Sequence, residues 1–333
     1  MKLDYAEFFN LYYYEGGYKV ISVTGYDDYL IVPEGAEIPE TDLIVLQQPL
    51  DKIYLQATAV MALFRALDGL SNIRFVGTQA SGWSIEEAVD AIERGDMIFA
   101  GKYSEPDYET LVEHEANLAI ESTMILHSPK VKEILESLDI PVFVEYSAYE
   151  PEALGRTEWV KVYAAMLNIE EKAYDFFDEQ EEVIKMVEDC EKSDKTVVYF
   201  YIGTEGTAIV PNDNTYTIGM IRTAGGNYVF DGLQESFDSP TVALSMEEFY
   251  AKAIDADYII YNSSIDGSLA STDELLTKSS LLADFKAVKE GNVWCTGKSL
   301  FQSTDRLAYM ILDIYNMLNG ADADEMTFLQ KIE

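Results

Sequence analysis

The feature that most constrains the fold is an alternation of short apolar strands with helical segments, which occurs in two separate blocks of the chain. In the first block, apolar runs such as Ile53–Gln56 and Leu118–Glu121 are separated by segments with helical spacing. The alternation resumes at Thr196–Ile202. Strands that are apolar throughout need cover on both faces, which intervening helices provide in a parallel sheet. The sequence therefore predicts an α/β protein with two lobes, each built on a central parallel sheet.

The blocks are separated by a tract that has no strand pattern. It contains the apolar run Trp159–Leu167 and continues as an acidic amphipathic segment to about Lys192. We therefore predict one long connecting helix over residues 155–192, between an N-terminal lobe (51–154) and a C-terminal lobe (193–333). The acidic tail Gly320–Glu333 is predicted to be peripheral.

Residues 1–50 have a different pattern and predict a small β meander in front of the first lobe. Gly16-Gly17 and Asp27-Asp28 mark turns between aromatic and β-branched runs. The predicted strands are Phe8–Tyr14, Tyr18–Thr24, Tyr29–Pro33 and Leu43–Leu46.

The charge of the chain excludes several partners. Lys and Arg number 23 and Asp and Glu number 60, so the formal net charge is 23 − 60 = −37 over 333 residues. A chain this acidic cannot neutralise phosphates, which excludes a nucleic acid as the main partner. The hydrophobic fraction of 48% still permits a large core.

The sequence leaves the cellular compartment open. Residues Met1–Tyr5 have neither a basic nor an apolar leader pattern, so we expect no signal peptide within this sequence. A cytosolic protein and a mature exported protein are both compatible with this. Cys190 and Cys295 could form a disulfide, but two ordinary thiols are the simpler interpretation.

Enzymatic motifs are missing from the sequence. There is no phosphate-binding Gly-x-x-x-x-Gly-Lys-Ser/Thr loop, no Gly-x-Ser-x-Gly nucleophile elbow and no dinucleotide glycine fingerprint. We therefore predict that the chain is not an enzyme, and a cytosolic α/β enzyme remains the alternative from a different class.

The two lobes share an internal pattern. Tyr108–Leu111 opens a helix that leads into Asn117–Ile120, and Ser245–Glu248 opens a helix that leads into Asp257–Ile260. With Leu154–Trp159 at the entry to the connecting helix, this arrangement resembles the substrate-binding proteins of ABC importers for iron–siderophore complexes, haem and cobalamin. The resemblance covers roughly residues 53–318 and implies two Rossmann-like lobes joined by one long helix. The meander resembles an extension of some family members from anaerobic bacteria, including relatives associated with corrinoid uptake.

The resemblance implies that Glu109 and Glu247 dock to arginines of an ABC transporter permease. The simpler alternative is that both are first-turn glutamates that interact favourably with a helix dipole. Their matching placement in both lobes favours docking.

The ligand is expected between the lobes, at loops that follow the carboxyl ends of the parallel strands. Aromatic and apolar side chains there could stack on a flat or bulky ligand, and the scarce cations could hold its carboxylates. Core packing is the alternative for each apolar side chain, and a salt bridge is the alternative for each cation. The candidates are Trp83, Lys102, Tyr103, Met124, Tyr149, Arg156, Arg222, Asn262 and Phe301.

The histidines are His114 and His127, and two histidines argue against a site for a bare metal ion. We therefore predict no metal site and no cofactor, although the ligand itself could carry iron or cobalt. His127 could face the ligand as an axial haem ligand, but a surface position at a helix start is the simpler expectation.

We therefore expect a monomeric, extracytoplasmic binding protein, either a cell-surface lipoprotein or a periplasmic protein. It would bind a metal chelate or tetrapyrrole and hand it to a permease. A ferric siderophore is the first expectation for the ligand, cobalamin the second and haem the third.

Overall fold

The computed structural model describes residues 2–188, 192–233 and 239–333. The chain forms two compact units. Lobe one contains Met1–Glu150, Gly155–Asp178 and Gln302–Asp305, and lobe two contains Pro151–Leu154, Glu179–Phe301 and Arg306–Glu333. No helix among the described residues is both long enough and apolar enough to cross a membrane.

The predicted meander is present as a four-stranded sheet. Three strands pair antiparallel, and the fourth pairs parallel with the third. Phe9 packs edge-on against Trp159 (ring centroids 5.1 Å apart), and Tyr29 packs against Phe143 (4.8 Å). The extension therefore shares one core with lobe one. Its strands are β1 (Phe9–Tyr13), β2 (Lys19–Val23), β3 (Asp28–Val32) and β4 (Ile44–Gln47).

Lobe one is built on a five-stranded parallel sheet of order β11-β10-β5-β6-β7. A short hairpin follows the edge strand. The strands are β5 (Ile53–Leu55), β6 (Ile73–Val76), β7 (Ile98–Phe99), β8 (Gly101–Lys102), β9 (Glu105–Pro106), β10 (Leu118–Ser122) and β11 (Val142–Glu145). The helices are α1 (Val60–Ala66), α2 (Glu86–Arg94), α3 (Tyr108–Glu113) and α4 (Pro129–Ser137).

The tract predicted as one helix over 155–192 is divided in the structure. It forms α5 (Ala153–Glu158), α6 (Val160–Leu167) and α7 (Glu170–Glu188). Asn168 interrupts it because this residue adopts a left-handed conformation (φ 61°) at the end of α6, which asparagine tolerates better than most residues. Residues 189–191, which include Cys190, lie outside the described residues. Cys295 is a buried free cysteine.

Lobe two has a sheet of order β15-β13-β12-β16-β17-β18, with β14 also paired to β12. The pairs β12–β14, β12–β16 and β16–β17 are parallel, as predicted, whereas the outer pairs are antiparallel. The strands are β12 (Thr196–Ile202), β13 (Ala208–Pro211), β14 (Asn227–Tyr228), β15 (Thr241–Leu244), β16 (Tyr258–Tyr261), β17 (Val293–Thr296) and β18 (Leu329–Lys331). The helices are α8 (Tyr216–Thr223), α9 (Met246–Ala253), α10 (Ser263–Asp266), α11 (Thr272–Lys278), α12 (Lys286–Lys289) and α13 (Leu307–Leu318).

The tail after Gly320 is not peripheral, which corrects the prediction. Strand β18 pairs with β17, and Phe328 and Leu329 are buried. Asp313 of α13 accepts hydrogen bonds from the backbone amides of Phe328 and Leu329. A buried carboxylate with several amide donors holds the tail against the sheet.

Candidate functional site: the carboxyl edges of two parallel sheets

The loops that follow the parallel strands of lobe one lie together at one edge of its sheet. Because β10 and β11 pair in parallel with Ser122 opposite Glu145, the loops after these two strands begin side by side. This carboxyl edge is where open α/β sheets bind ligands. Four of the predicted ligand-binding residues of lobe one lie in these loops with exposed or partly exposed side chains: Lys102, Tyr103, Met124 and Tyr149.

The hairpin after β7 carries Lys102 and Tyr103. It begins at Gly101, which has a positive φ of 80° that glycine adopts readily. The Lys102 side chain is 64% exposed, and its Nζ lies 4.0 Å from Glu105 Oε2. A pair at this distance and exposure holds the charge weakly, so the ammonium group can turn toward a ligand.

Hydrogen bonds from Gln56, the residue after β5, and from Tyr54 support the hairpin. Gln56 Nε2 donates to the Gly101 carbonyl oxygen (2.9 Å), and the Tyr54 hydroxyl donates to the same oxygen (2.8 Å). The Gln56 side chain lies against Gly77, the residue after β6. A Cβ at Gly77 would lie 1.8 Å from Gln56 Oε1. Gly77 is therefore required for the Gln56 amide to reach the hairpin.

The loop after β10 presents apolar side chains. Ser122 Oγ accepts a hydrogen bond from Met124 N (3.4 Å) and starts a short 3₁₀ helix, Thr123–His127. Ile125 is buried and anchors this turn, whereas Met124 and Leu126 are 45% and 49% exposed. His127 is exposed at the end of the turn, in agreement with the simpler surface expectation.

The loop after β11 presents tyrosines. Tyr149 ends the 3₁₀ turn Ser147–Tyr149 and is 37% exposed. Its ring lies 6.1 Å from the ring of Tyr146, which is buried. Burial raises the pKa of the Tyr146 hydroxyl well above its ordinary value, so the hydroxyl is neutral at physiological pH. The loop therefore offers neutral aromatic surface.

Trp83 and Arg156 are buried in lobe one. Trp83 is 7% exposed, and its Nε1 donates to the Thr78 carbonyl oxygen (3.0 Å). Arg156, in α5, is 3% exposed. As they stand in the structure, both side chains have little surface to offer a ligand, so packing is the main role that their surroundings support.

Glu121 is a buried acid that the sequence analysis did not single out. It lies in β10 beside the carboxyl edge and is 0% exposed. Neither carboxyl oxygen has a hydrogen-bond partner among the described residues. Burial raises the pKa of this carboxyl group to about 8, which keeps it largely protonated at neutral pH. The sequence signal that could have identified Glu121 is a charged residue near the end of an otherwise apolar strand.

In lobe two, Asn262 and Phe301 lie after neighbouring parallel strands. Asn262 follows β16, and its Oδ1 accepts from Ser264 N (3.1 Å), so the side chain caps α10. Phe301 follows β17 in the 3₁₀ turn Lys298–Gln302 and is 51% exposed. Phe301 is therefore the member of this pair with free apolar surface.

Arg222 is held by acids of its own lobe. Its Nη2 donates to Asp213 Oδ1 and Asp231 Oδ1, and its Nη1 donates to the Asp213 carbonyl oxygen (3.0 Å). Two carboxylates offset the guanidinium charge, which corresponds to the salt-bridge alternative considered for this residue.

Glu109 and Glu247 have equivalent positions. Glu109 is the second residue of α3, whose N-cap Asp107 accepts from Thr110 N (3.1 Å). Glu247 is the second residue of α9, where Ser245 and Glu248 form a capping box. Both glutamates are exposed. α3 leads into β10 and α9 into β16, and each of these strands pairs with the first parallel strand of its lobe.

No group of three or more histidine, cysteine, aspartate or glutamate side chains suited to a metal ion occurs within residues 2–188, 192–233 and 239–333. What the carboxyl edges offer instead is exposed aromatic and apolar surface with a few polar groups. That combination is typical of a site that binds a small molecule.

A parallel sheet in lobe one and a mixed sheet with a parallel centre in lobe two, each with exposed side chains at its carboxyl edge, are consistent with the class of two-lobed binding proteins. Residues 58–300 match the family described as "Periplasmic binding protein". Because the match spans most of the chain, the protein belongs to this family, which confirms the predicted fold class and the binding-protein interpretation. The family consists of binding proteins and not of enzymes.

Curated relatives include two uncharacterized lipoproteins of Methanocaldococcus jannaschii. Each is 24% identical to this chain; the alignments cover 99% and 95% of this chain and 86% and 81% of those proteins. The extension has 50 residues, so 333 − 50 = 283 residues, or about 85% of the chain, lie outside it. These relatives therefore match at least part of the extension as well.

Solved structures with the same fold include three binding proteins. The match to a periplasmic binding protein from Veillonella parvula has a TM-score of 0.65 and 14% identity. It covers 95% of this chain and 99% of that protein. The periplasmic haem-binding protein HutB of Vibrio cholerae has a TM-score of 0.63 and 18% identity, with coverage of 78% and 96%. The catecholate-siderophore binding protein VctP of Vibrio cholerae has a TM-score of 0.63 and 13% identity, with coverage of 81% and 94%.

Proposed function

We propose that this protein is the substrate-binding component of an ABC importer and captures a bulky metal chelate for delivery to the permease. The observation that carries the delivery step is the equivalent placement of Glu109 and Glu247. An exposed carboxylate at the same helical position of each lobe gives two fixed points for arginines of a permease. In this role the protein acts as a monomer with no cofactor of its own.

The ligand-binding surface is the carboxyl edge of each sheet. Met124 and Tyr149 in lobe one and Phe301 in lobe two are exposed apolar or aromatic side chains there. Apolar and aromatic surface binds the organic shell of a chelate, and Lys102 supplies a mobile positive charge for its carboxylates.

A ferric siderophore is the first candidate ligand. It fits a site with exposed aromatic surface and the exposed Lys102, and a solved structure of this fold is a catecholate-siderophore binding protein. A corrinoid or haem is the second candidate. The exposed tyrosine and phenylalanine favour it because a macrocycle presents a flat face on which rings can stack.

We further propose an extracytoplasmic location, either on the cell surface as a lipoprotein or in the periplasm. Two relatives that match almost the whole chain are described as lipoproteins, which supports the first of these alternatives.

A binding titration tests the proposal. The purified protein is titrated with a ferric catecholate siderophore, a ferric hydroxamate siderophore, cyanocobalamin and haemin, and binding is followed by calorimetry. We expect one class to bind with a Kd of about 1 μM or tighter. A protein that binds none of the four contradicts the proposed function, and the class that binds decides between the two candidates.

A further inference from the structure

The extension places an aromatic side chain at the carboxyl edge of the lobe one sheet. Tyr26 lies in the turn between β2 and β3, where Gly25 adopts a positive φ of 81°. The turn is closed by a hydrogen bond from Tyr26 N to the Val23 carbonyl oxygen (2.9 Å). Lys132 of α4 pairs with Asp27 (Nζ to Oδ2, 3.2 Å) and fixes the turn against the lobe. The Tyr26 side chain is therefore held in place and still 50% exposed.

Tyr26 stacks on the loop that follows β11. Its ring lies parallel to that of Tyr146, with centroids 3.6 Å apart and an angle of 19° between the planes. Tyr146 in turn lies against Tyr149 (6.1 Å, 49°). Three rings thus form a continuous series, which we call the tyrosine wall, with Tyr146 buried in the middle and Tyr26 and Tyr149 exposed on either side.

The tyrosine wall adjoins the apolar turn after β10. The two loops begin side by side because Ser122 is paired with Glu145, and the turn exposes Met124 and Leu126. A soluble protein seldom keeps so many large apolar side chains exposed at one edge without a partner. The location at the carboxyl ends of parallel strands indicates that this partner is a small ligand.

We propose that Tyr26 is a ligand-binding residue and that the tyrosine wall stacks on a conjugated ring of the captured ligand. The ring could belong to a tetrapyrrole macrocycle or to the catechol groups of a siderophore, which share a flat π face. This inference rests on the proposed function and gives the extension a part in ligand recognition. It also gives a role to a tyrosine that is held by stacking and by the ion pair of its neighbour Asp27 and is still half exposed.

The test compares four variants with the wild-type protein, using the same four ligands. Tyr26→Ala removes the ring, Tyr26→Leu keeps apolar bulk without a ring, and Tyr26→Phe keeps the ring without the hydroxyl group. The matched control is Tyr12→Ala, because Tyr12 belongs to the same extension and is 49% exposed. Thermal unfolding of each variant shows whether the turn remains folded.

We expect the Kd for a ring-bearing ligand to rise roughly tenfold in Tyr26→Ala and Tyr26→Leu. Tyr26→Phe and Tyr12→Ala should stay within about twofold of the wild-type value. A rise in Kd for haemin or cyanocobalamin would indicate stacking on a macrocycle. A rise in Kd for the catecholate siderophore would indicate stacking on catechol rings.

Three results would overturn the inference. Unchanged affinity in both Tyr26→Ala and Tyr26→Leu, with a wild-type protein that binds, rejects the role of Tyr26 alone and leaves the proposed function standing. Binding of only the hydroxamate siderophore, which has no aromatic ring, also rejects the tyrosine wall alone. A wild-type protein that binds none of the four rejects the proposed function together with this inference.

Discussion

Glu109 and Glu247 occupy the same helical position in their respective lobes, each as the second residue of a helix that starts behind a capping side chain. Neither glutamate is itself the cap, because Asp107 and Ser245 fill that position. Both carboxylates are exposed and therefore available to a partner protein.

We expect the double variant Glu109→Ala, Glu247→Ala to lose ligand uptake in cells while the purified protein keeps its ligand affinity. Removal of a first-turn carboxylate costs each helix only about 0.3–1 kcal/mol, so the fold survives. The measurement is uptake in a strain that lacks the wild-type protein, alongside a Kd for the purified variant. The matched control, Glu113→Ala with Asp255→Ala, removes two exposed acids near the same helices and should transport normally. Normal uptake by the double variant would reject the docking role.

We expect Glu158→Ala to destabilise lobe one by about 3–5 kcal/mol, because Glu158 is fully buried and its removal leaves Lys161 without its buried ion-pair partner. Glu158 Oε2 also accepts from the backbone amides of Tyr5 (2.9 Å) and Ala6 (2.7 Å). Urea denaturation gives the change in unfolding free energy, and hydrogen exchange should show lost protection at residues 4–6. The exposed Glu7 of the same segment provides the control Glu7→Ala, which should change stability by less than about 0.5 kcal/mol. Equal stability of both variants would contradict this account.

We expect Glu121→Gln to become progressively more stable relative to the wild-type protein as the pH rises from about 5 to about 8. Burial raises the pKa of Glu121 to about 8, so the folded protein keeps a proton that the unfolded chain releases near its ordinary pKa. Wild-type stability from this group is greatest below the ordinary carboxyl pKa. It declines by at most about 1.4 kcal/mol per pH unit until the pH passes the folded-state pKa. Glutamine does not titrate and lacks this decline.

Urea denaturation at several pH values within this range measures the effect. The variant Glu113→Gln, at the exposed end of α3, is the control. A pH-independent difference between Glu121→Gln and the wild-type protein would mean that the Glu121 carboxyl has its ordinary pKa.

We expect Gly77→Ala to displace the Gln56 amide, because the new Cβ would lie 1.8 Å from Gln56 Oε1. The displaced amide would lose its hydrogen bond to the Gly101 carbonyl oxygen, at a cost of about 0.5–1.5 kcal/mol. The effect should be smaller in a Gln56→Ala background, where no amide has to move. A double-mutant cycle from urea denaturation measures this coupling, and strictly additive effects would contradict it.

Most of the strands could be predicted from the sequence because buried parallel strands are apolar along their whole length. β5 and β10 of lobe one and β12 and β16 of lobe two lie where their apolar runs predicted them. The capping box at Ser245 was also recognisable, because its residue types and spacing are local.

The division of the connecting tract was not predicted. Apolar and charged residues keep helical spacing across Asn168, and whether an asparagine adopts a left-handed conformation depends on its surroundings. β18 was missed for a related reason: its burial depends on pairing with β17, a contact between segments that are distant in sequence.

The candidate site was predicted at the level of loops and not of individual side chains. Parallel strands end at a common edge, so the loops containing Tyr103, Met124 and Tyr149 could be chosen from the sequence alone. Whether a ring in such a loop points outward, like Tyr149, or into the core, like Trp83, depends on three-dimensional packing. Tyr26 could not have been assigned to this edge, because only the folded extension brings it there.

The attachment of the extension has a consequence for the order in which this protein is assembled. Residues 4–8 donate backbone hydrogen bonds to Glu150 and Glu158, which are separated from them by about 140–150 positions. Residues 4–8 thus have no carboxylate partner until the chain has been synthesised as far as Glu150 and Glu158. Such distant contacts form late because a long loop must close first. The attachment of residues 4–8 would then be a late step in the folding of lobe one, completed only after the segment that contains Glu150 and Glu158 is in place.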